Sequence, residues 1–190
     1  MRPPPSLAVP LGLDSCRALV AYDDDARALI TSLKNRGHRS LVAAMADGLA
    51  GLVSTEPSTV VTWAPTGAPR RRQRGFDQAE LLARAVARRR GLRCVSLLHR
   101  LPGPPQAGRA SEDRRTNPGF RAKGSAPLCV LIVDDVATTG ATLTAAARVL
   151  RAAGAVAVHG LVVARARDDL RRTTVERHTR YREACPWRSP

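Results

Sequence analysis

The fold of this chain is decided by the stretch Cys129-Val130-Leu131-Ile132-Val133-Asp134-Asp135-Val136-Ala137-Thr138-Thr139-Gly140-Ala141-Thr142-Leu143. Its apolar, largely β-branched part, Val130 to Val133, is typical of a strand that is buried on both faces. From Leu143 to Leu150, apolar residues recur at positions i, i+3, i+4 and i+7, which predicts a helix that begins near Thr142. A strand, a polar turn and a helix in this order place ligands at the carboxyl end of a parallel sheet.

The polar turn between this strand and this helix has the chemistry of a phosphate site. The first N–H groups of a helix are unpaired, and they lie at the positive end of its dipole. Hydroxyl groups and a glycine that allows close approach surround this point, and the predicted 5′-phosphate site consists of Thr138, Thr139, Gly140, Ala141 and Thr142. Asp134 and Asp135 would repel a phosphate, but they suit hydroxyl groups further along the same ligand, such as those of a ribose 5-phosphate.

Three other interpretations of this stretch are alternatives to a sugar-phosphate site. A Walker-type phosphate loop requires a Lys after its last glycine, whereas Ala141 follows Gly140. A receiver domain carries two Asp after an apolar strand near its start, but the 55 residues after Asp135 are too few for the rest of such a fold. An ordinary strand with an Asp/Thr helix cap explains one Asp and one Thr, but not the whole set.

The run from Val130 to Thr142 resembles the phosphoribosyl-pyrophosphate (PRPP) motif of type I phosphoribosyltransferases, which is long and specific. The resemblance implies an α/β fold with a mostly parallel central sheet flanked by helices and an N-terminal helical segment. It also implies PRPP as the ligand. Mg²⁺ would arrive with the pyrophosphate, because this ion prefers phosphate oxygens and water, and we expect no metal site made by the protein alone.

A second candidate site follows the strand predicted at Thr59–Ala64. Four arginines of the turn, Arg70, Arg71, Arg72 and Arg74, precede a helix that is predicted to start near Asp77 and to end before Gly91. Arginine is always charged and offers forked donors to phosphate oxygens. A solvated basic turn is the alternative, but the place of this turn at the end of a neighbouring strand favours a pyrophosphate site.

The sequence around this turn narrows the resemblance. The run Arg74-Gly75-Phe76-Asp77-Gln78-Ala79 is similar to the Arg-Gly-Phe-Asn-Gln-Ala signature of the ComF group of competence-associated proteins, with Asp in the place of Asn. The polar stretch from Arg100 to Pro127 resembles a further ComF pattern, and the resemblance implies a flexible loop that closes over PRPP. The residues assigned to that loop are Gln106, Arg114, Arg115 and Asn117. A plain surface loop is the alternative interpretation.

The resemblance extends from about Val20 to Arg165 and does not include the four-Cys zinc module with which ComF proteins commonly begin. Since the four cysteines of this chain are scattered, we expect no zinc. We divide the chain into a flexible tail (1–18), an N-terminal helical segment (19–56), a phosphoribosyltransferase-like core (57–166) and an Arg-rich tail (167–190). Short extended structure is expected at Leu19–Tyr22, and a strand at Cys94–Leu98.

The composition bears on partners and on location. The formal net charge of +15 favours binding to polyanions, although 29 of the 31 basic residues are Arg, and part of this charge reflects compositional bias. Aromatic residues make up only 3% of the chain, which gives little for base stacking. No apolar run approaches the ~20 residues of a membrane span, and the N-terminus lacks a secretory signal. We therefore expect a cytoplasmic protein without membrane insertion.

Three functions stay open at this point. The first is a ComF-like protein that binds PRPP or ribose 5-phosphate and takes part in DNA uptake or natural transformation. The second is an active phosphoribosyltransferase that transfers the ribose phosphate to an unidentified nucleobase. The third is a non-catalytic accessory protein that binds single-stranded DNA and a helicase-like competence protein.

Overall fold

The structure is a computed structural model, and the residues that it describes are 9–33, 39–54, 59–67, 71–72, 75–102 and 119–166. The strands of this part of the chain are β1 (Ser15–Ala21), β2 (Val60–Trp63), β3 (Arg93–Cys94), β4 (Leu98–Arg100), β5 (Phe120–Ala122), β6 (Cys129–Ala137) and β7 (Ala157–Arg165). Its helices are α1 (Asp24–Leu33), α2 (Arg39–Gly51), α3 (Gln78–Arg90) and α4 (Ala141–Ala152).

The architecture is a parallel sheet with helices on both faces, and the predicted fold class is confirmed. The sheet has the strand order β1-β7-β6-β2-β3, and every pair of neighbours in it is parallel. Strands β4 and β5 form a separate antiparallel ribbon. Among the helices of the described residues, none combines the length and apolar character that a bilayer crossing requires.

Strand β6 lies at the centre of the sheet because its side chains are apolar on both faces. Leu131 and Val133 join the core cluster on the face of α1, α2 and α3. Val130 and Ile132 join the cluster on the other face, which includes Leu150 of α4. All of these residues are buried, as expected for a strand covered by helices on both sides.

Two predicted helices begin and end close to where the sequence places them. Helix α4 starts at Ala141, and helix α3 runs from Gln78 to Arg90. Asp77 is the N-cap of α3, where its carboxylate accepts a hydrogen bond from the N–H of Ala79. Gly91 ends the helix in the left-handed conformation, with a φ of 66°.

Strand β3 is shorter than the strand expected at residues 94–98. It pairs with β2 at two positions only, Arg93 and Cys94. Beyond them the Val95 N–H still donates to Val61 O at 2.9 Å, but the Leu97 N–H donates to the Thr62 hydroxyl at 3.2 Å instead of to a backbone carbonyl. The chain then turns into the β4–β5 ribbon, which the sequence pattern did not reveal because its short strands flank a long polar stretch.

Strand β1 begins at Ser15, inside the stretch that the sequence favoured as a tail. It pairs with the outer edge of β7, and the Asp14 N–H donates to Val158 O at 2.8 Å. The polar start of β1 hid this strand, because only its second half carries consecutive apolar residues. Residues 1–8 and 167–190 lie outside the described residues, and the division of the chain into four parts stays a prediction.

Candidate functional site

The proposed ribose-phosphate site lies at the carboxyl end of β6, the central strand. Strand β2 ends at Trp63, which pairs with Val133, whereas β7 continues beside β6 as far as Arg165. Asp134 and Asp135 therefore lie just beyond the end of β2, at the carboxyl edge of the sheet, where β6 extends past β2 and forms a step. Such a step at the carboxyl edge is where parallel α/β sheets bind ligands.

The turn after β6 leads directly into α4, whose N-cap residue makes no side-chain hydrogen bond. Gly140 is the N-cap residue, and it adopts the left-handed conformation with a φ of 72°. A glycine has no side chain with which to cap the helix, and Thr139 Oγ1 accepts from the Ala141 N–H at 3.3 Å. Thr138 and Thr139 are exposed, and they lie at a helix start, a position that favours anions.

The structure brings Asp134 and the predicted phosphate residues together in one cleft, whereas Asp135, the other predicted ribose residue, does not line it. The residues that line it are Asp134, Val136, Ala137, Thr138, Thr139, Gly140, Ala141, Thr142 and Leu143. One end of the cleft is acidic and the other offers hydroxyl and N–H donors, which is the polarity that a sugar phosphate requires.

Asp134, which lines this cleft, and the adjacent Asp135 each accept a hydrogen bond from the backbone N–H of the next residue. Asp134 Oδ1 accepts from the Asp135 N–H at 2.9 Å, and Asp135 Oδ1 accepts from the Val136 N–H at 2.8 Å. Burial raises the pKa of Asp134 well above its usual range, the neighbouring Asp135 carboxylate raises it further, and Asp77 adds a smaller effect of the same sign. The negative charge of Asp134 is thus poorly compensated in the free protein. Hydrogen-bond donors or a cation on a bound ligand would stabilise it.

Of the four predicted pyrophosphate residues, Arg71 and Arg72 belong to the described part of the chain, and both are exposed. The Arg71 guanidinium lies 4.0 Å from the Glu80 carboxylate, so the structure pairs it with α3 rather than with the Asp134–Asp135 pair. Glu80 also accepts from Arg84 at 2.9 Å. Arg70 and Arg74 lie outside the described residues.

The residues predicted for the flexible loop, Gln106, Arg114, Arg115 and Asn117, also lie outside the described residues. The β4–β5 ribbon holds the two flanks of that stretch together. Arg100 pairs with Phe120 across the ribbon, and the Leu101 N–H donates to Gly119 O at 3.0 Å. The assignment of the loop residues stays a prediction.

The sequence did not indicate the contacts of Arg100, and it indicated only one of the two roles of Asp77. Arg100 donates to Pro65 O at 3.3 Å, and its guanidinium lies 5.6 Å from the centre of the Phe120 ring. Asp77 does more than cap α3, because its carboxylate also accepts from the Thr66 N–H at 2.7 Å. Neither contact has a sequence signal, since the partners are a distant ring and backbone groups.

Asp134 and Asp135 are the carboxylates of this site that could contribute to the coordination of Mg²⁺. Among the described residues, no group of three or more His, Cys, Asp or Glu side chains is arranged to hold a metal ion. Two adjacent carboxylates leave most of the octahedral shell of Mg²⁺ to water and phosphate oxygens. The expectation that Mg²⁺ arrives with the pyrophosphate stays a prediction.

We expect replacement of Gly140 by Ala to lower stability by about 1–2 kcal/mol from left-handed strain alone. An added Cβ would lie 3.0 Å from Pro10 Cγ and 3.1 Å from Pro10 Cβ, which adds a steric cost. The control is Gly91→Ala, where φ is 66° and a Cβ meets nothing within 4 Å. Urea unfolding should show a larger loss for Gly140→Ala; equal losses would contradict a role for the Pro10 contact.

Comparison with known proteins gives a family match and a similar solved structure. Residues 117–182 match the model of the phosphoribosyl transferase domain family, a range that contains β6, the phosphate turn and α4. A purine phosphoribosyltransferase from Pyrococcus horikoshii Ot3 is similar in structure over 80% of this chain and 78% of that chain, with 16% sequence identity and a TM-score of 0.33. A search of curated proteins gives no match. The chain thus contains a phosphoribosyl transferase domain match on an α/β fold that is consistent with type I phosphoribosyltransferases.

Proposed function

We propose that this chain binds PRPP, with the 5′-phosphate at residues 138–142 and the ribose hydroxyls at Asp134 and Asp135. The observation that supports this most is the single cleft that joins a carboxylate to an open helix start. Phosphate oxygens would accept from the N–H groups of the first turn of α4 and from threonine hydroxyls. The ribose hydroxyls would donate to the carboxylates, whose charge strengthens each hydrogen bond.

The pyrophosphate of PRPP would extend from the ribose towards the basic segment after β2. Arg71 can turn to it at little cost, since an exposed pair such as Arg71–Glu80 is worth about 0–1 kcal/mol. Bound Mg²⁺ would neutralise charge on the pyrophosphate and thereby make it a better leaving group. The protein's own part is to orient the ribose so that its anomeric carbon faces an incoming nucleophile.

The match to the phosphoribosyl transferase domain supports a transferase as the chemical activity, in which ribose phosphate passes from pyrophosphate to a nitrogenous base. Incubation of the protein with PRPP, Mg²⁺ and single nucleobases should release pyrophosphate with an active acceptor only. If no nucleobase raises the rate of pyrophosphate release above the rate without a base, the protein binds PRPP but is not a transferase.

The ligand itself is tested by three sugars. Saturation-transfer NMR with ribose 5-phosphate, ribose and ribose 1-phosphate should show strong transfer for ribose 5-phosphate only. Of the three, that compound alone carries a 5′-phosphate together with the 2′ and 3′ hydroxyls. Equal transfer to ribose 1-phosphate would contradict the assignment of residues 138–142 to a 5′-phosphate.

The second candidate is a ComF-like role in DNA uptake, in which the protein binds single-stranded DNA together with a helicase-like competence protein. The net charge of +15 favours it. If several phosphates are neutralised, the association constant for an oligonucleotide should fall steeply with salt, about a thousandfold from 50 to 200 mM for six contacts. Absence of binding even at low salt would count against this role.

A further inference from the structure

The segment that precedes β1, residues 9–14, packs along α4, the helix whose start carries the proposed phosphate turn. Pro10 in this segment is buried, and it lies against Gly140. A Cβ built on Gly140 would be 3.0 Å from Pro10 Cγ and 3.1 Å from Pro10 Cβ. A Cβ built on Gly12 would lie 3.4 Å from Ala147 Cβ, in ordinary van der Waals contact. The segment therefore contacts α4 at its N-cap residue and again near its middle.

A tight turn inside the segment fixes Pro10 relative to the start of β1. The Leu13 N–H donates to Pro10 O at 3.1 Å, which closes a turn of four residues. Gly12 is the third residue of this turn, and its φ of 84° is the left-handed value that a type II turn has at this position. The place of Pro10 thus follows from the place of the residues that lead into the sheet.

The other end of the segment is bound by Arg151, in the last turn of α4. Arg151 Nη2 donates to both carboxylate oxygens of Asp14 at 2.7 Å, and its Nε donates to Gly12 O at 2.9 Å. Asp14 Oδ2 also accepts from the Val158 N–H of β7 at 2.7 Å. Charge-assisted bonds of this kind are stronger and more directional than neutral ones. The segment is therefore fastened to α4 and β7 at the end opposite to Pro10.

The phosphate turn has few restraints of its own at the point where Pro10 meets it. Gly140 carries no side chain and makes no cap hydrogen bond, and the Thr139 hydroxyl holds the Ala141 N–H at 3.3 Å only. An anion at a helix start requires several N–H groups to point to one place. The proline ring is rigid, so a proline packed on Gly140 limits the other conformations of the turn at little entropic cost.

We infer that Pro10 is a positioning residue of the 5′-phosphate site, which packs on Gly140 and holds the turn in the conformation that presents its N–H groups to a phosphate. This inference rests on the proposed binding of a sugar phosphate at residues 138–142. Pro10 itself has no N–H to donate, so it acts through Gly140 and not through the ligand.

The test is calorimetric titration of ribose 5-phosphate into the wild type and into Pro10→Ala, which removes the ring atoms beyond Cβ. We expect the Kd to rise about 3- to 10-fold, the factor for a turn that is competent to bind for about 10–30% of the time. Leu11→Ala is the matched control, because this neighbouring side chain is 66% exposed, and its Kd should not change. Pro10→Val restores branched carbon atoms at the Cγ position and should recover most of the affinity.

A second measurement separates positioning from stability. In the free protein, the amide chemical shifts of Gly140 and Ala141 should change in Pro10→Ala and return towards those of the wild type in Pro10→Val. An unchanged Kd in Pro10→Ala, or the same loss in Leu11→Ala, would overturn the inference. If Pro10→Ala does not fold, as judged by circular dichroism, Pro10 serves stability and the inference is wrong. Failure of the wild type to bind ribose 5-phosphate would refute the proposed function, and the inference with it.

Discussion

Replacement of Asp134 by Asn should make the protein more stable and, at the same time, a weaker binder of PRPP. The amide keeps the shape of the side chain, and its oxygen can still accept from the Asp135 N–H. It removes a charge that burial and the adjacent Asp135 disfavour, as the raised pKa of Asp134 shows. We therefore expect a melting temperature a few degrees higher at neutral pH, which corresponds to about 1 kcal/mol for a chain of this size.

The pH dependence of this gain follows from the sign of the shift. Because the pKa of Asp134 is raised in the folded state, the folded protein binds its proton more readily than the unfolded chain does. The ionised wild type is thus penalised at neutral pH and above, and the penalty disappears as pH falls through the raised pKa towards the ordinary value of 3.8. The advantage of Asp134→Asn should be largest at about pH 8 and absent near pH 4.

The binding loss has a separate cause. A hydrogen bond from a ribose hydroxyl to a carboxylate is worth about 1.5–3 kcal/mol, so its loss should raise the Kd for PRPP about 10- to 100-fold. Asp25→Asn is the control, because it makes the same change in net charge at an exposed position of α1. It should neither raise the melting temperature nor weaken binding. A destabilised Asp134→Asn variant would contradict the electrostatic description of the cleft.

The second large effect is a loss of stability between pH 6.5 and pH 4 that depends on His159. This residue is buried in β7, and its Nδ1 lies 2.9 Å from the Ser15 hydroxyl of β1. Burial lowers its pKa from 6.5 to about 4, against an opposite effect of Asp14, while Arg151 and Arg17 lower it further. Between pH 6.5 and about 4, the folded protein therefore holds a neutral imidazole, whereas the imidazole of the unfolded chain is already protonated.

The sign of this pH dependence follows from the direction of the pKa shift of His159. A depressed pKa of a base stabilises the fold fully above pH 6.5, and this stabilisation is lost as pH falls towards about 4. A difference of about 2.5 pKa units corresponds to roughly 3 kcal/mol at the low end of this range. The measurement is urea unfolding at a series of pH values. In His159→Asn the amide can still pair with Ser15, and although the smaller side chain costs stability, this part of the pH slope should vanish. An unchanged slope in the variant would contradict the assignment.

The sequence was sufficient for the centre of the fold and for the position of the turn between β6 and α4. Strand β6 and helix α4 follow from local patterns, namely apolar residues without interruption and then residues at helical spacing, and local patterns are read most safely. The same holds for the cap of α3 at Asp77, where the residue type alone indicates a helix start. Strand β6 and helix α4 also lie within residues 117–182, which match the phosphoribosyl transferase domain.

What the sequence did not reveal depends on contacts between distant residues. Strand β1 joins the sheet because Asp14 and Ser15 meet β7 more than 140 residues away, and their polar side chains give no strand pattern. The role of Arg100 requires Pro65 and Phe120, which flank it from two different elements. The second role of Asp77 likewise depends on where β2 ends, a position that spacing alone does not fix.

The most direct test of a ribose-phosphate site is a calorimetric titration of PRPP with Mg²⁺ into the wild type and into the Asp134→Asn/Asp135→Asn double variant. We expect saturable binding with one site per chain in the wild type. In the double variant, whose fold should be intact, we expect the affinity to fall by at least about a hundredfold, because two charged acceptors are lost. Absence of saturable binding by the wild type, or equal binding by both proteins, would contradict the proposed site.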